Sequence, residues 1–577
     1  MSERPGQISR ALRAIWQRVS EHRVMRYLAS ITSYNRIQGT IGLVDAARYV
    51  QESLLGDAGD SLEVELVKFG GTGVPEWIQA PTGWAIHDAR VSVGGNSLTL
   101  EVHPTLAVAH SPPSGGVVSG EAVVIDRGWW RPEAYTNAKG KIVVSPGNPY
   151  IVYRLSLEAG AAGVALYTEG AHGEAVPYKG LFLSRAEAAN FTIPAVSLPR
   201  SLAESLRGGG RSISITVDAD VRRDPGFPIV VAWIGDREKP GPALVAHVCH
   251  PTPSANDNGS GAAALMEAAV VLSRLVDSGE IQPPSQTLRF IWVPEYTGSS
   301  VVLSKNFRGL VTDVINFDMV GAEPGDGNGP IRVVSSSAST PGVADASLFE
   351  AVQAVSDLSG FSSVSLVQYE PGSDHDIAAA LGIPSAMLNG WPHRFYHTDL
   401  DDLDSVSRRA LGFSSAVAAL SAFIVSSTRP DPTGFRQALL ERLVLRHLAN
   451  GDEVAARLAG SVLASVLGVQ PLSTPPEGYP VKVGMSVKLR PPIIESTRWV
   501  ARRSLDAALR IAELIQAGGQ YAAAAYQTEG VFLLAPDRDL GEVAALVAAE
   551  YGDRWARPDW LVSYLELLAD IKLVELS

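Results

Sequence analysis

The stretch that most constrains this chain is Ala243–Gly261, which reads ALVAHVCHPTPSANDNGSG. An apolar run, Ala243–Ala246, stops at two histidines, His247 and His250, with Cys249 between them. A Pro/Ser loop leads to Asn256-Asp257-Asn258-Gly259-Ser260-Gly261, which opens onto an Ala/Leu/Met/Val-rich helix over Ala262–Leu275. A continuous apolar run reads as a buried parallel strand, and open α/β sheets gather their sites beyond the carboxyl ends of such strands. Imidazole and carboxylate are the ligand types that suit zinc-like divalent ions.

The same arrangement recurs along the chain. Strands are expected at Val230–Ile234, Leu288–Val293, Val314–Phe317, Val364–Gln368 and Ala386–Leu388, with helices at Ser299–Asn306, Ser347–Leu358 and Ile377–Leu381. This alternation predicts an α/β domain over 225–430, its mixed, mostly parallel sheet flanked by helices. Glu295 follows one expected strand and Asp318 the next; Glu370 and Asp374 follow a third, and Tyr396 and His397 a fourth. Parallel strands bring such ends to one sheet edge. Imidazoles and carboxylates without a thiolate cluster suit a pair of divalent ions sharing an activated water.

At 577 residues the chain exceeds what one hydrophobic core supports. Residues 1–68 read as a helical lead-in with helices over Ile8–Leu28 and Leu43–Leu55 and a short strand at Glu63–Val67. Residues 69–224 are rich in Gly, Pro and short β-branched runs and read as a β-rich insertion, its one helix expected around Ser156–Ala162. Residues 431–577 turn helical and end helix, helix, strand, which suits a small winged-helix module. Balanced charge there favours packing or homo-oligomerisation over DNA binding.

A net charge of −13 disfavours nucleic acid or an anionic membrane as the partner. No run of about eighteen unbroken apolar residues predicts a spanning helix, and the charged N-terminus lacks the apolar core of a signal peptide. Cys249 is the only cysteine, so no intramolecular disulfide forms; a reducing, cytoplasmic setting is the expectation. Asp401, Asp402 and Asp404 read as a solvated helix start, and Trp129-Trp130 as packing.

The ordered set of motifs resembles the co-catalytic dizinc aminopeptidases of the M28 type, in the branch with an HxCHP…NDNxSG signature. The residues that carry the likeness are His247, Asn256–Gly261, Glu295 before Gly298-Ser299, Asn316–Gly321 and Tyr396-His397-Thr398. Outside the α/β domain, Asn35–Leu54 resembles that family's helical lead-in. Lys139–Val144, Ala159–Leu166 and Ile193–Ser197 resemble a protease-associated domain.

The resemblance implies a zinc-exopeptidase-like fold and a metallo-aminopeptidase acting on peptides. It implies two divalent ions, zinc before cobalt or manganese. Asp257 would bridge them, His247 and Asp318 would complete one site, and His397 with a carboxylate from the Glu295 region the other. Asp257–Asn258 becomes the expected cis peptide. Tyr396 would stabilise the tetrahedral intermediate, and Asp374 or Glu370 would hold the substrate amine.

One departure stands out. The family pairs two adjacent glutamates, a base and a ligand, but here Tyr296 follows Glu295; Cys249 also replaces the usual Asp. Glu295 is therefore either base or ligand. Glu370 or His250 could supply the other function, and His250 is otherwise expected to orient a ligand from behind. The missing glutamate leaves two alternatives: a scaffold that has lost catalysis, and a single-metal glutaminyl cyclase-like acyltransferase.

Overall fold

The computed structural model describes residues 3–75, 77–222, 226–338, 340–489, 497–518, 538–552, 554 and 557–577. The chain begins with helices Glu3–Arg18, Glu21–Thr32 and Ile41–Asp57 and then enters strand β1 (Glu63–Phe69). It next builds a separate sheet from β2 (Gly83–Val93), β3 (Asn96–Thr99), β4 (Val118–Val124), β5 (Ile142–Ser145), β6 (Gly163–Leu166), β7 (Ala195–Ser197) and β8 (Ser212–Arg222). It returns as β9 (Phe227–Ile234), which pairs antiparallel with β1 from Glu63 opposite Trp233 to Phe69 opposite Phe227. The insertion thus leaves and rejoins the main sheet at neighbouring points, which lets the main sheet close as if it were absent. Its own apolar cluster includes Trp84, Val91, Val144, Val196 and Ile215.

The main sheet continues with β10 (Gly241–His247), β11 (Leu288–Val293), β12 (Val311–Asp318), β13 (Ile331–Val334), β14 (Val364–Val367) and β15 (Ser385–Gly390). Its order is β1-β9-β11-β10-β12-β15-β13-β14. Strand β10 lies parallel to both β11 and β12, and all seven of its residues are buried. The chain leaves β10 towards β11 and then crosses back to β12 on the other side. Such a reversal opens a crevice at the carboxyl ends of the strands.

Strand β13, which carries Arg332, was not expected. Four residues between a Gly-rich loop and a serine run give too little alternation to read as a strand. It runs antiparallel to β15 and parallel to β14. The insertion's longest helix lies at Pro149–Glu158, ahead of its expected place, because Asn148 caps it through Tyr150 and Ile151 N–H and Pro149 suits its first turn; short helices at Arg185–Ala188 and Arg200–Ser205 were not expected.

The helical stretches Ala255–Asp277, which ends in helix Gly261–Asp277, and Arg408–Thr428, which begins with helix Arg408–Phe423, are long and apolar enough to cross a membrane, yet both lie almost wholly within the core. Their apolar character reflects burial on every side. The first N-terminal helices cover them, and Arg23 reaches the buried Glu267 with Nε at 2.7 Å and Nη2 at 2.6 Å. The C-terminal region contains helices Thr433–Ala449, Glu453–Leu458, Thr497–Arg503, Leu505–Gly518, Leu540–Tyr551 and Pro558–Asp570. A two-stranded ribbon, β16 (Val487–Leu489) with β17 (Val574–Leu576), accompanies them.

Candidate metal centre

His247 is the last residue of β10 and is 1 % exposed. Beyond it the chain turns so sharply that His250 takes φ 130°, and its backbone exchanges hydrogen bonds with Arg36 in both directions. Arg36 is fully buried and donates to the carbonyls of Val248, Ile31 and Ser254 at 2.8, 2.9 and 3.1 Å. One guanidinium therefore braces both ends of the histidine loop.

The Asn-Asp-Asn segment is held as firmly. Asn256 Oδ1 accepts from Gly321 and Ala322 N–H, while Asn258 Oδ1 accepts from Met319 and Gly261 N–H. These side chains strap Asp257 to the turn that follows Asp318. A Cβ on Gly261 would sit 2.2 Å from the Phe317 carbonyl, so only glycine allows this approach. The Asp257–Asn258 peptide is cis.

The donor atoms fall into two triplets that share Asp257. In the first, His247 Nε2 lies 3.5 Å from Asp257 Oδ1 and 3.4 Å from Asp318 Oδ1. In the second, Asp257 Oδ2 lies 3.0 Å from His397 Nε2 and 3.6 Å from His250 Nε2, and the two imidazoles are 3.3 Å apart. With zinc–ligand bonds of about 2.0–2.1 Å, two ligands of one tetrahedral ion stand roughly 3.4 Å apart. Both triplets have that spacing. Asp318 Oδ1 is buried without a hydrogen-bond partner, a costly arrangement that a cation would relieve. The residues present fit a divalent cation.

His250 is better suited to bind a metal than to stand behind a ligand. Its Nδ1 lies 2.7 Å from the Cys249 carbonyl, which can only accept, so Nδ1 carries the proton and Nε2 presents its lone pair. Burial, opposed by Asp257, lowers its pKa to about 3 and keeps the ring neutral. Of the two expected roles of His250, supplying the missing function or orienting a ligand from behind, the geometry favours the first: the positive-φ turn swings this ring into the second triplet.

Glu295 belongs to neither Asp257 triplet; among the described residues its carboxylate groups with His247, Cys249 and His250. Its backbone is fixed by Gln38 Nε2, which donates to its carbonyl at 2.9 Å, and by its own N–H, which points at Cys249 Sγ at 3.2 Å. Burial first, and then the Asp374, Asp318 and Asp257 carboxylates, push its carboxyl well above the usual range. A carboxyl so placed accepts a proton readily and can return it.

Asp374, expected to hold the substrate amine, does something else. It accepts from Tyr296 N–H at 2.8 Å and from the Ser299 hydroxyl, and it does not line the cavity. These bonds fix the turn at Tyr296, whose φ is 58°. Glu370 does line the cavity, paired with Arg332 at 2.7 Å.

Asp401 is likewise no solvated residue. It is 1 % exposed, and its two oxygens accept from Asn256 and Asp257 N–H at 2.8 and 2.9 Å. Tyr396 stacks on His397 with ring centres 3.9 Å apart and is 38 % exposed at the cavity. Burial of its phenol and the surrounding carboxylates push it well above the usual value, so it remains a donor.

The cavity measures about 370 Å³. Tyr178, Arg332 and Tyr551 had given no sequence signal, because each comes from outside the motifs and meets the site only through the fold; Arg36 and Gln38 lie in the Asn35–Leu54 lead-in, which gave no sign of their contacts with the site.

Residues 229–422 match the model of peptidase family M28. A comparison with curated protein sequences finds no match. Among solved structures, the zinc aminopeptidase from Bacillus subtilis is 19 % identical, with 74 % of this chain and 96 % of that one covered, at a TM-score of 0.51. The peptidase M28 precursor from Shewanella amazonensis is 18 % identical over 74 % of this chain and 98 % of its own, at 0.53. A Clostridium acetobutylicum protein is 15 % identical over 99 % of this chain and 100 % of its own, at 0.50. At these identities the likeness is one of fold.

Proposed function

We propose that this chain, whose α/β domain matches peptidase family M28, is a metal-dependent aminopeptidase with a dinuclear centre. The observation that carries the reading is the pair of donor triplets sharing Asp257, each spaced as the ligands of one tetrahedral ion are. His247, Asp257 and Asp318 would hold one ion, and His250, Asp257 and His397 the other. With ligation provided by His250, Glu295 is free to act as the base, which answers the missing second glutamate. Zinc suits this nitrogen and oxygen donor set, with cobalt or manganese as substitutes.

When bound, the ions supply Lewis acidity and lower the pKa of a water towards neutrality. The protein's own groups do the rest. Glu295 takes the proton from the attacking water and returns it to the leaving amine. Tyr396 donates to the oxygen of the tetrahedral intermediate, which carries more charge than the ground-state carbonyl. Glu370, whose Oε2 is held by Arg332 at 2.7 Å, would meet the substrate's amino group with its other oxygen. The inserted module, whose motifs resemble a protease-associated domain, borders the second donor triplet through Tyr178 and shapes access.

The test is hydrolysis of aminoacyl-p-nitroanilides by the metal-loaded protein, with elemental analysis alongside. Two ions per chain and loss of activity on chelation are expected. Activity that persists after metal removal would sink the scheme, and a single ion per chain would favour the cyclase-like alternative.

A further inference from the structure

The C-terminal region does not merely pack beside the α/β domain. Tyr551, the last residue of helix Leu540–Tyr551, lines the cavity of the donor triplets. Its hydroxyl donates to Tyr369 O at 2.7 Å. Arg446 bridges this contact, with one nitrogen on the Gln368 side chain and another on Glu550 O at 2.6 Å, and His447 Nε2 meets Ala549 O at 2.9 Å. The helix end is thus clamped to the segment leaving β14, and Gln368, Glu370, Pro371 and Gly372 of that segment also line the cavity.

The remaining lining sets the apolar Met319, Met387 and Trp391 beside Arg332, Asn389 and Tyr396. Arg332 is matched by Glu370 at 2.7 Å and donates to Asn389 Oδ1 at 2.8 Å, so it offers no free charge to a ligand. At about 370 Å³ the cavity lies near the low end of the roughly 300–1,000 Å³ common for ligand sites. It must hold the amine and the scissile carbonyl as well as a side chain.

We infer that Tyr551 closes the pocket for the substrate's first side chain and sets the largest side chain that the pocket admits, one of the size of leucine or methionine. The inference rests on the aminopeptidase reading above. It gives the C-terminal region a role in specificity, because a wall borrowed from a separate segment sets the pocket's depth.

The experiment uses the full-length, zinc-loaded protein and a panel of aminoacyl-coumarin amides carrying Ala, Leu, Met, Phe, Glu and Lys. Wild type should turn over Leu and Met at least about tenfold faster than Phe in kcat/KM, the scale on which pockets discriminate by size. Tyr551→Ala should raise the Phe-to-Leu ratio at least about tenfold, mainly through a lower KM for Phe. Tyr551→Phe keeps the ring and should keep the ratio, while Tyr551→Trp should lower the Leu-to-Ala ratio. Calorimetric titration with free leucine and phenylalanine should follow the same order without turnover.

Should Tyr551→Ala misfold, as thermal melting would reveal, the Trp and Phe variants still decide the matter. Ratios that stay flat across the variants would overturn this inference alone. Hydrolysis of none of the amides would overturn the aminopeptidase reading itself.

Discussion

At the scale of single residues, the site divides its labour between two groups that the sequence places 38 positions apart, Asp257 at the centre of both triplets and Glu295 outside them. Glu295→Gln should lower kcat by about 10²–10⁴, the usual contribution of a general base, while elemental analysis still finds the full metal complement. His250→Ala should do the reverse to the metal: dialysed protein should retain one ion firmly and lose the other. If Glu295→Gln sheds an ion and His250→Ala does not, the two assignments must be exchanged. The sequence announced both residues but could not apportion their roles. That apportionment depends on the turn at His250 with φ 130° and on a hydrogen bond to Cys249 O, and neither leaves a mark in residue spacing. Asp401 departs from expectation for a related reason: three acids in four residues look solvated, yet the first is the acceptor that holds the Asp257 backbone.

At the scale of elements, strand ends were legible because buried parallel strands are apolar runs and their exits carry the polar residues. Cross-module contacts were not. Residues 176–178 of the insertion lie beside the loop that carries His397: Tyr178 N–H donates to His397 O at 2.7 Å, Asp399 N–H to Val176 O at 3.1 Å, and Val176 N–H to Asp399 Oδ1 at 2.8 Å. Tyr178 then sets its buried ring edge-on to both imidazoles of the second triplet, with centres 5.2 Å from His250 and 5.5 Å from His397. The insertion therefore supports the second donor triplet. Tyr178→Ala should weaken binding at the second site at least about tenfold, the usual cost of losing a supporting contact behind a ligand, while Tyr178→Phe should bind normally. Competition with a chromophoric chelator measures it, and equal affinities for the two variants would show that the ring does not matter.

At the scale of the whole molecule, the C-terminal region meets the insertion as well as the α/β domain, and the joint is ionic. Arg502, on helix Thr497–Arg503, places Nε 2.9 Å from both oxygens of Glu187 and donates from Nη2 to Phe182 O at 2.9 Å. The two side chains are 11 % and 13 % exposed, so each would be left largely buried and uncompensated without the other. Burial pushes the Glu187 carboxyl up, but the Arg502 guanidinium and the Ser184 hydroxyl outweigh it, and the net shift is below the ordinary 4.5. A carboxyl lowered on folding stabilises the folded state above its unfolded pKa, and that contribution is lost as pH falls through the lowered folded value. Arg502→Met should therefore cost about 3 kcal/mol near neutrality. The gap between variant and wild type should be full near neutrality and narrow as pH falls from the folded Glu187 value of the variant, no longer lowered by the guanidinium, to the lowered value of the wild type. Thermal melting of both proteins from neutral to strongly acid buffers reads the gap directly. A gap that stays constant through the acid range would mean that Arg502 stabilises the joint by packing on its neighbours and not by its charge.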